Sequence, residues 1–371
     1  MEDQSSIHGQ IVEAIRSGVL DGRYRNRLPS EAQIAMRFKC SRKTAVRAME
    51  QLQWEGVVVR RKGKGSFVSK EFRTVGRSVG LIVLSYSEIF PSICHEVTRL
   101  CQDGRYMLML GQITSGDPKE RARRAKDLAA NFIDQNVVGV IFQPIGFLPD
   151  ADALNADIVE MFRRRGTPVV LIDSDILPVP ERSECDTVEI DNYEAGWRLA
   201  RHVLERCYTW GAVQNGRIVF FTCPNCPHSN YLRWLGVRGA AESVGAAAEL
   251  LVCEKNDERC LKRAFRRRDV SAVICGYDAL AVAAADVLRS IGRRIPDDVL
   301  LAGFDDISIA SAMTPRLTTI HQPCEQLAEA SYETLMHRIA EPHAPPQRVL
   351  LTAPLVVRES TGGSHEKGRK K

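Results

Sequence analysis

Basic side chains at helical spacing form the first group of residues whose chemistry can be inferred from the sequence. Arg42, Lys43 and Arg47 share the outward side of a predicted helix whose other side carries apolar residues, and Thr44 stands beside them. Guanidinium and ammonium groups donate hydrogen bonds to phosphate oxygens and to the acceptor edge of guanine. We therefore predict that this helix enters the major groove of double-stranded DNA.

A second group consists of polar and aromatic residues at or after the ends of predicted apolar strands. Parallel sheets bind ligands at the carboxyl ends of their strands, so these residues are expected to line one small-molecule site. The predicted site residues are Ser87, Phe90, Asp173, Arg233, Tyr277 and Asp305. Asp305 could accept two hydroxyl groups of a sugar or another polyol while Arg233 donates to them. Asp305 could also be a turn residue that bonds its own backbone.

Two other patterns in the sequence could indicate metal, redox or acid-base chemistry. The sequence Cys223-Pro-Asn-Cys226, followed by His228, has the spacing of a metal site or a redox pair. The chain contains no second pair of cysteines at this spacing, so a loop that lines the ligand site is the preferred interpretation. Asp305 and Asp306 could be considered as an acid-base pair. The side chains of adjacent residues rarely converge on one atom, however, and no nucleophile is evident. We therefore expect no enzyme activity, no cofactor and no metal ion.

Capping residues and glycines delimit the elements that must position the basic group. Ser30 and Ser41 can cap two successive helices, and Gly56 stands where a helix-ending glycine is expected. The predicted elements are a first helix at 5–19, a second helix after Ser30, a third helix from Arg42 to about Glu55, and strands at 57–60 and 66–68. The predicted DNA contacts, from the caps, the third helix and the basic turn of the hairpin, are Ser30, Ser41, Arg42, Lys43, Thr44, Arg47, Arg61, Lys62, Gly63, Lys64 and Gly65.

In their order and spacing these elements resemble the winged helix-turn-helix domain of the GntR family. The resemblance rests on LPSE at 28–31, SRKT at 41–44, the Gln-Leu-X-X-Glu-Gly stop at 51–56 and GKGSFV at 63–68. It implies a DNA-binding domain at residues 1–69 and a linker at 70–78. Ala32 and Val46 stand where this family commonly has arginines that contact DNA. The resemblance therefore implies an operator unlike the family's usual one, or phosphate contacts made by Arg47 instead.

From residue 79 onward, continuous apolar strands alternate with helices, a pattern typical of parallel sheets covered on both faces. Several motifs resemble LacI-type repressors, whose effector domain has the periplasmic-binding-protein fold. They are PVVLID at 168–173, IPDDV at 295–299, GFDD at 303–306 and TTIHQP at 318–323. The resemblance implies an α/β protein whose two lobes have parallel sheets, at about 79–188 plus 319–343 and about 189–318 plus 347–361. A disordered basic tail at 362–371 is expected to follow.

The same resemblance implies that Asp305 and Arg233 contact an effector in the cleft between the lobes. Many sugar-sensing relatives have Asn-Asp where this chain has Tyr277-Asp278. Tyr277 replaces an amide that reads hydroxyl groups, so we expect a ring to stack there. This departure leaves the chemistry of the effector open.

Length and charge agree with a nucleic-acid binder that carries a separate sensing domain. The 371 residues suit two or three domains. Residues 1–78 hold 16 lysines and arginines against 8 acidic residues, or +8, whereas the whole chain carries +5, so the remainder carries −3. Eleven cysteines at irregular spacing indicate reduced thiols. A polar N-terminus, with no apolar run of about 20 residues, indicates a cytoplasmic protein without a membrane segment.

Together these features predict a DNA-binding transcription regulator of the repressor type. It is expected to bind an operator as a homodimer and to respond to a small molecule, such as a carbohydrate, in the interlobe cleft. The alternative is a cytoplasmic small-molecule-binding protein, or an enzyme, that carries a basic accessory domain. A secreted binding protein would need a signal peptide and an enzyme would need catalytic groups, and neither is evident in the sequence.

Overall fold

A computed structural model divides the chain into two compact units. One comprises residues 1–79 with 99–108, and the other comprises 80–98 with 109–371. The structure describes residues 7–20, 23–24, 26–61, 64–69, 77–84, 89–114, 117–209 and 216–362. Within these ranges no helix is long and apolar enough to cross a membrane. Most of the predicted linker at 70–78 and nearly all of the predicted tail lie outside the described residues.

Three helices and a β-hairpin form the N-terminal head. They are α1 (Ile7–Leu20), α2 (Glu31–Arg37), α3 (Arg42–Trp54), β1 (Val58–Arg61) and β2 (Gly65–Val68). The helices bury apolar residues such as Ile11, Ile34 and Met49 against one another, and β1 pairs with β2 in antiparallel fashion. Gly56 has a φ of 75°, the left-handed conformation that ends α3 as predicted.

The remaining elements alternate between strands and helices along the chain. The strands are β3 (Ser78–Leu84), β4 (Met107–Ile113), β5 (Gly139–Phe142), β6 (Val169–Ile172), β7 (Asp186–Ile190), β8 (Arg217–Thr222), β9 (Ala247–Val252), β10 (Val270–Cys275), β11 (Leu300–Asp305), β12 (Thr318–His321), β13 (Arg348–Leu351) and β14 (Leu355–Val356). The helices are α4 (Phe90–Asp103), α5 (Pro118–Asp134), α6 (Ala151–Arg164), α7 (Asn192–Thr209), α8 (His228–Ser243), α9 (Glu258–Phe265), α10 (Asp278–Ser290), α11 (Ser308–Ala312) and α12 (Cys324–Ala340), and a 3-10 helix follows at Glu359–Thr361.

Two six-stranded sheets organise these elements into two lobes. The sheet of the first lobe has the order β13-β7-β6-β5-β3-β4, and the sheet of the second lobe has the order β14-β12-β11-β10-β8-β9. The pairs from β5 through β7 to β13 are parallel, as are those among β8 to β12. Only β14, which pairs with β12, is recorded as antiparallel among the described pairs of these sheets. The predicted α/β fold class is confirmed.

Helices cover both faces of the second sheet, and adjacent residues of β8 demonstrate this. Phe221 packs edge to face against Phe265 of α9, with ring centroids 6.3 Å apart. Phe220 packs against Trp234 of α8 at 6.0 Å. Since successive side chains of a strand point to opposite faces, α8 and α9 lie on opposite sides of the sheet. This explains why the strands are continuously apolar rather than alternating.

The predicted extent of the second lobe is wrong near the end of the chain. We assigned residues 347–361 to this lobe, but β13 pairs with β7 in the first sheet, whereas β14 pairs with β12 in the second. Pro354 lies between the two short strands and has no N–H group to donate to a ladder. The chain therefore crosses between the lobes at this point instead of continuing along one sheet.

The predicted lobe boundaries also shift at β7 and β12. We ended the first lobe at residue 188 and returned to it at 319, whereas β7 stays in the first sheet to Ile190 and all of β12 belongs to the second. We did not predict β7 because its sequence is not continuously apolar. Its buried acids are held by ion pairs, Asp186 with Arg338 at 2.7 Å and Glu189 with Arg348.

Two glycines allow α7 and α8 to pack backbone to backbone in the second lobe. A Cβ atom at Gly236 would lie 2.0 Å from the carbonyl oxygen of Tyr193 and 2.7 Å from the amide nitrogen of Trp197. A Cβ atom at Gly196 would lie 2.3 Å from the carbonyl oxygen of Arg233. Both contacts are with backbone, which cannot move without shifting a helix. The close approach of these helices therefore fixes the position from which Arg233 extends.

We expect Gly236→Ala to lower the free energy of unfolding by about 3 kcal/mol, because the added methyl group must push α7 and α8 apart. Urea denaturation followed by circular dichroism measures this loss. Arg238→Ala, at an exposed position of the same helix, is the matched control and should change stability by less than about 0.5 kcal/mol. Equal stability of the two variants would contradict the tight packing of this helix pair.

Candidate functional sites

The third helix presents its cations on the side that faces away from the core of the head. Arg42, Lys43 and Arg47 are exposed, whereas Ala48 and Met49 on the same helix are fully buried. The helix therefore has the basic outer face that the sequence predicted. Such a face can meet phosphates and base edges at once.

Hydroxyl groups cap the helices of the head. Ser41 Oγ accepts a hydrogen bond from the amide of Thr44 at 3.1 Å and lies 2.8 Å from Thr44 Oγ1. Ser30 forms the predicted capping box with Gln33: its amide donates to Gln33 Oε1 at 2.8 Å, and its Oγ accepts from the Gln33 amide at 3.3 Å. The caps fix where each helix begins, so they also fix where Arg42 points.

The β1-β2 hairpin is the wing of the winged helix-turn-helix. One of its arginines has a structural role, and several of its other residues are exposed. Arg60 forms ion pairs with Glu31 and, at 4.0 Å, with Glu50, so it ties the hairpin to the helices. Arg61, Lys64 and Gly65 are exposed. The guanidinium of Arg61 lies 5.1 Å from the centroid of the Phe67 ring. Lys62 and Gly63, which we also predicted as DNA contacts, lie outside the described residues.

In the second lobe, the guanidinium of Arg233 is almost completely buried, at 3% exposure, and is held by several acceptors. Its Nε donates to Asn192 Oδ1 at 2.9 Å, and its Nη1 donates to the carbonyl oxygen of Gly276 at 2.7 Å. Nη1 also lies 3.5 Å from Asp305 Oδ1, and the ring of Phe304 lies 4.5 Å below the guanidinium carbon. Arg233 is therefore positioned before any ligand arrives.

Asp305 ends β11 and faces Arg233. Its φ of 105° lies in the left-handed region, which a non-glycine residue adopts only where its surroundings hold it there. Its Oδ1 accepts from Gln322 Nε2 at 3.3 Å. The neighbouring Asp306 has a structural role, because it pairs with Arg358 at 2.6 Å and with His321 at 3.0 Å. The carboxylate of Asp305 remains directed toward the cluster.

Asp173 follows β6 in the first lobe and interacts electrostatically with Arg233 and Asp305, and we call these three residues the charged cluster. It is 9% exposed and adopts a left-handed φ of 76°. Burial raises the pKa of the Asp173 carboxyl to about 6, with Arg233 opposing the rise and Asp305 adding to it. Burial likewise raises the pKa of Asp305. The structure thus brings three of the predicted effector residues together, two acids around one base.

The other predicted effector residues are placed differently. The ring of Tyr277 packs against Phe147 in a T-shaped contact with centroids 6.1 Å apart, and its hydroxyl donates to Cys223 Sγ at 3.5 Å. Burial raises the pKa of Tyr277. Phe90 is buried at the start of α4, and Ser87 lies outside the described residues.

Asp278, the residue after Tyr277, serves the fold of the second lobe. It is fully buried and accepts hydrogen bonds from Thr319 Oγ1 at 2.8 Å and from the amide of Ile307 at 3.1 Å. A Cβ atom at Gly303 would lie 2.2 Å from Asp278 Oδ1, so only glycine fits beside it. These bonds tie α10 to β12 and to the residue before α11.

The two lobes contact each other near the charged cluster. The amide of Phe147 in the first lobe donates to the carbonyl oxygen of Asn225 in the second at 2.6 Å. Asp152 Oδ1 of the first lobe lies 2.9 Å from His228 Nε2 of the second. The lobes are thus joined across the cleft by direct hydrogen bonds.

A small cavity of about 20 Å³ lies at this contact between the lobes. Its walls include Ser174 and Asp175, which directly follow Asp173, and Cys226 of the Cys-Pro-Asn-Cys loop. A volume of this size is about the room of one water molecule, so this cavity marks where the lobes meet rather than the outline of a bound ligand. The predicted placement of this loop beside the cleft is confirmed.

Cys226 and Cys223 are both free thiols in the structure, and Cys226 Sγ lies 3.1 Å from Thr222 Oγ1. Burial raises the pKa of the Cys226 thiol to about 11, which leaves it a weak nucleophile at neutral pH. Across the part of the chain that the structure describes, no three histidine, cysteine or acidic side chains are grouped to hold a metal ion.

Sequence reasoning missed two residues that complete the cluster, Asn192 and Gln322. Asn192 orients Arg233, and Gln322 orients Asp305. Asn192 opens α7 directly after β7, the strand that we did not predict, so its position at a strand end was not apparent. Gln322 lies within the TTIHQP motif that carried the family resemblance, and that motif was the available signal.

We expect Asp173→Asn to stabilise the protein at neutral pH. The raised pKa means that folding favours the protonated acid, so the contribution of Asp173 to stability is full below about pH 4 and is lost as the pH rises through about 6. Asparagine tolerates the same left-handed conformation and carries no charge. The variant should therefore gain on the order of 2 kcal/mol over wild type between pH 4 and pH 7, at about 1.4 kcal/mol per pKa unit.

The measurement is the free energy of unfolding as a function of pH for both proteins. Burial raises the pKa of Glu189 to about 7 and the Asp173 carboxylate adds to this rise, so the difference between the curves reports Asp173 together with its effect on Glu189. Asp286→Asn at an exposed position of α10 is the control and should give a flat difference. Parallel curves for Asp173→Asn would show that its carboxylate is well solvated.

Comparison with known proteins identifies both parts of the chain. Residues 7–68 match the model for bacterial regulatory proteins of the gntR family, and residues 215–361 match the model for periplasmic binding protein-like domains. The arabinose metabolism transcriptional repressor of Geobacillus stearothermophilus is 26% identical over 369 residues, which cover 95% of this chain and 96% of that protein. The ribose operon repressor of Escherichia coli K12 is 28% identical over 291 residues, 76% of this chain and 80% of that protein.

A solved structure extends the likeness to the fold of the whole chain. The transcriptional regulator CelR in complex with cellobiose aligns with a TM-score of 0.63 at 22% identity, and the alignment covers 96% of this chain and 99% of that one. This chain is therefore a transcription regulator in which a GntR-family DNA-binding domain is joined to a LacI-type, periplasmic-binding-protein-like domain.

Proposed function

We propose that this protein is a repressor that binds a double-stranded DNA operator as a homodimer and leaves it when a small carbohydrate, or a related metabolite, occupies the cleft. The observation that carries the proposal is the cluster of Asp173, Arg233 and Asp305 beside an interlobe cavity, in the same chain as an exposed basic helix. The relatives named for arabinose metabolism and for the ribose operon support a carbohydrate. The proposal assigns no catalytic step to the cleft and places the protein in the cytoplasm with its operator.

In this proposal, DNA binding and effector binding belong to different domains of the chain. Residues 1–69 form the DNA-binding domain and 70–78 a linker, while residues 79–361 bind the effector and form the dimer. Within the head, α3 reads the major groove through Arg42, Lys43 and Arg47, and the wing holds the DNA backbone through Lys64. A dimer with two-fold symmetry presents two heads, so its operator is a palindrome whose half-sites match their spacing.

Effector binding and DNA binding must be coupled through the arrangement of the lobes. A ligand shifts an equilibrium only by its difference in affinity for the two states, and residues of both lobes surround the cavity. A ligand held by Asp173 from the first lobe and by Asp305 from the second favours the closed state. The coupling is reciprocal, so operator DNA should weaken effector binding by the same factor by which effector weakens DNA binding.

We expect Arg42→Ala to weaken operator binding by roughly 1–3 kcal/mol, because it removes a base or phosphate contact. The operator would first be selected from random duplexes, and its affinity would then be measured by fluorescence anisotropy. Arg289→Ala, which removes an exposed arginine of α10, is the matched control. Sedimentation of the complex should give two chains for each palindromic duplex. Unchanged affinity of a folded Arg42→Ala protein would exclude α3 as the reading helix.

We expect Asp305→Asn to give a repressor that binds its operator normally but no longer responds to effector. The variant loses a charge-assisted hydrogen bond to the ligand, which costs on the order of 2 kcal/mol in effector binding. The measurement is operator affinity as a function of the concentration of carbohydrates that release the wild type, with arabinose and ribose as the first probes.

The control for this experiment is Asp286→Asn, which should be released like the wild type. Circular dichroism melting establishes that the Asp305→Asn protein is folded before its response is compared. Release of the variant at the same effector concentration as wild type would show that Asp305 only shapes the end of β11.

A further inference from the structure

The charged groups that line the interlobe cavity are acidic. Asp152 and Asp175 stand in its wall, and His228 is the one basic side chain among the described lining residues. His228 is already engaged by Asp152 at 2.9 Å. No lysine or arginine is among the described residues of this wall. A phosphate or carboxylate in the cavity would therefore meet carboxylates without a cation to balance it.

The cluster beside the cavity also carries more negative than positive charge. Asp173 and Asp305 contribute two carboxylates against the single guanidinium of Arg233. That guanidinium already donates to Asn192 and to the carbonyl oxygen of Gly276. Asp305 Oδ1 lies 3.5 Å from the same Nη1 atom, and among the described residues none accepts a hydrogen bond from Nη2. One buried negative charge is thus left without a full partner, and such a charge is costly to keep in a protein interior.

Hydrogen-bond acceptors that lack a donor indicate, independently of charge, that the ligand must donate hydrogen bonds. Gln322 is 1% exposed, and its Oε1 atom has no hydrogen-bond partner. Its amide orientation is fixed because Nε2 donates to Asp305 Oδ1 at 3.3 Å. Among the residues that the structure describes, none donates a hydrogen bond to the carboxylate of Asp173. Asp175 differs, because the amides of Leu177 and Ser183 donate to it.

A ligand for this site must therefore donate hydrogen bonds and bring positive charge. An ammonium group does both, since it offers three N–H donors and no acceptor. Hydroxyl groups on the same molecule would satisfy the other acceptors. A neutral sugar supplies the donors but leaves the excess negative charge uncompensated. A phosphorylated or carboxylated sugar adds to that excess.

We infer that the effector of this protein is an amine-bearing polyol, such as an amino sugar, whose ammonium group pairs with Asp173. This inference rests on the proposed function of the cleft as the effector site. It orders ligands by charge: the amine binds more tightly than the parent sugar, and the parent sugar binds more tightly than its phosphate.

The test is isothermal titration calorimetry of the full-length protein at pH 7 with matched sets of sugars. Each set contains the 2-amino-2-deoxy sugar, the parent sugar and its 6-phosphate, in the glucose, galactose and mannose series. We expect the amine of at least one series to bind about tenfold more tightly than its parent sugar, which is the difference between a charge-assisted and a neutral hydrogen bond. The phosphate of that series should not bind.

Two variants locate the effect. Asp173→Asn should remove the advantage of the amine over the parent sugar, and Asp286→Asn, an exposed acid outside the cleft, should keep it. A parent sugar or a phosphate that binds as tightly as the amine would overturn the inference. So would an amine advantage that survives in Asp173→Asn, or the failure of every amine in the three series to bind.

Operator release, measured with the same ligands, separates this inference from the proposed function. Release by a neutral sugar with no preference for the amine would overturn the amine inference and leave the proposed repressor intact. Tight binding of an amine that changes operator affinity in no way would support the charge preference and overturn the proposed function.

Discussion

A buried guanidinium that keeps its charge is the constraint on which the cleft depends. Arginine does not lose its proton in proteins, so burying one without acceptors costs several kcal/mol. Arg233 meets this requirement with three acceptors from different elements: Asn192 at the start of α7, Gly276 after β10, and Asp305 at the end of β11. The guanidinium of Arg233 therefore contacts three separate parts of the second lobe. Its position is set by the close packing of α7 and α8 at their glycines.

The elements of the fold were largely predictable because their local signals agree with one another. Ser30, Ser41 and Gly56 act in the structure as the caps that their types and spacing indicated. Strands such as β8 and β10 are apolar on both faces because helices cover both faces, so a plain run of apolar residues identified them. β7 carries buried acids that are paired with arginines distant in sequence, and no local pattern reveals such pairs. The exchange of β13 and β14 between sheets likewise depends on contacts far apart along the chain.

The site was predictable in part, for the same reason. Strand ends and family motifs selected Asp173, Arg233 and Asp305, and the structure places these three together. The ring of Tyr277 was expected to stack on a ligand, and the sequence did not reveal that Phe147 from the other lobe packs against this ring. Contacts between residues of different lobes depend on how the two lobes pack against each other. Local sequence patterns do not reveal that packing. Asn192 and Gln322 are uncharged residues that orient Arg233 and Asp305, so their residue types alone gave no chemical signal.

β13 and β14 have a consequence for the order in which the activities of this protein arise. The two strands complete both sheets, so neither lobe is whole until residues 348–356 are in place. The head is built from the first residues of the chain, and protein domains fold in order as they leave the ribosome. During synthesis the DNA-binding head is therefore complete well before the sensor domain. A truncated chain that ends before residue 348 would carry a complete head on an unfinished sensor.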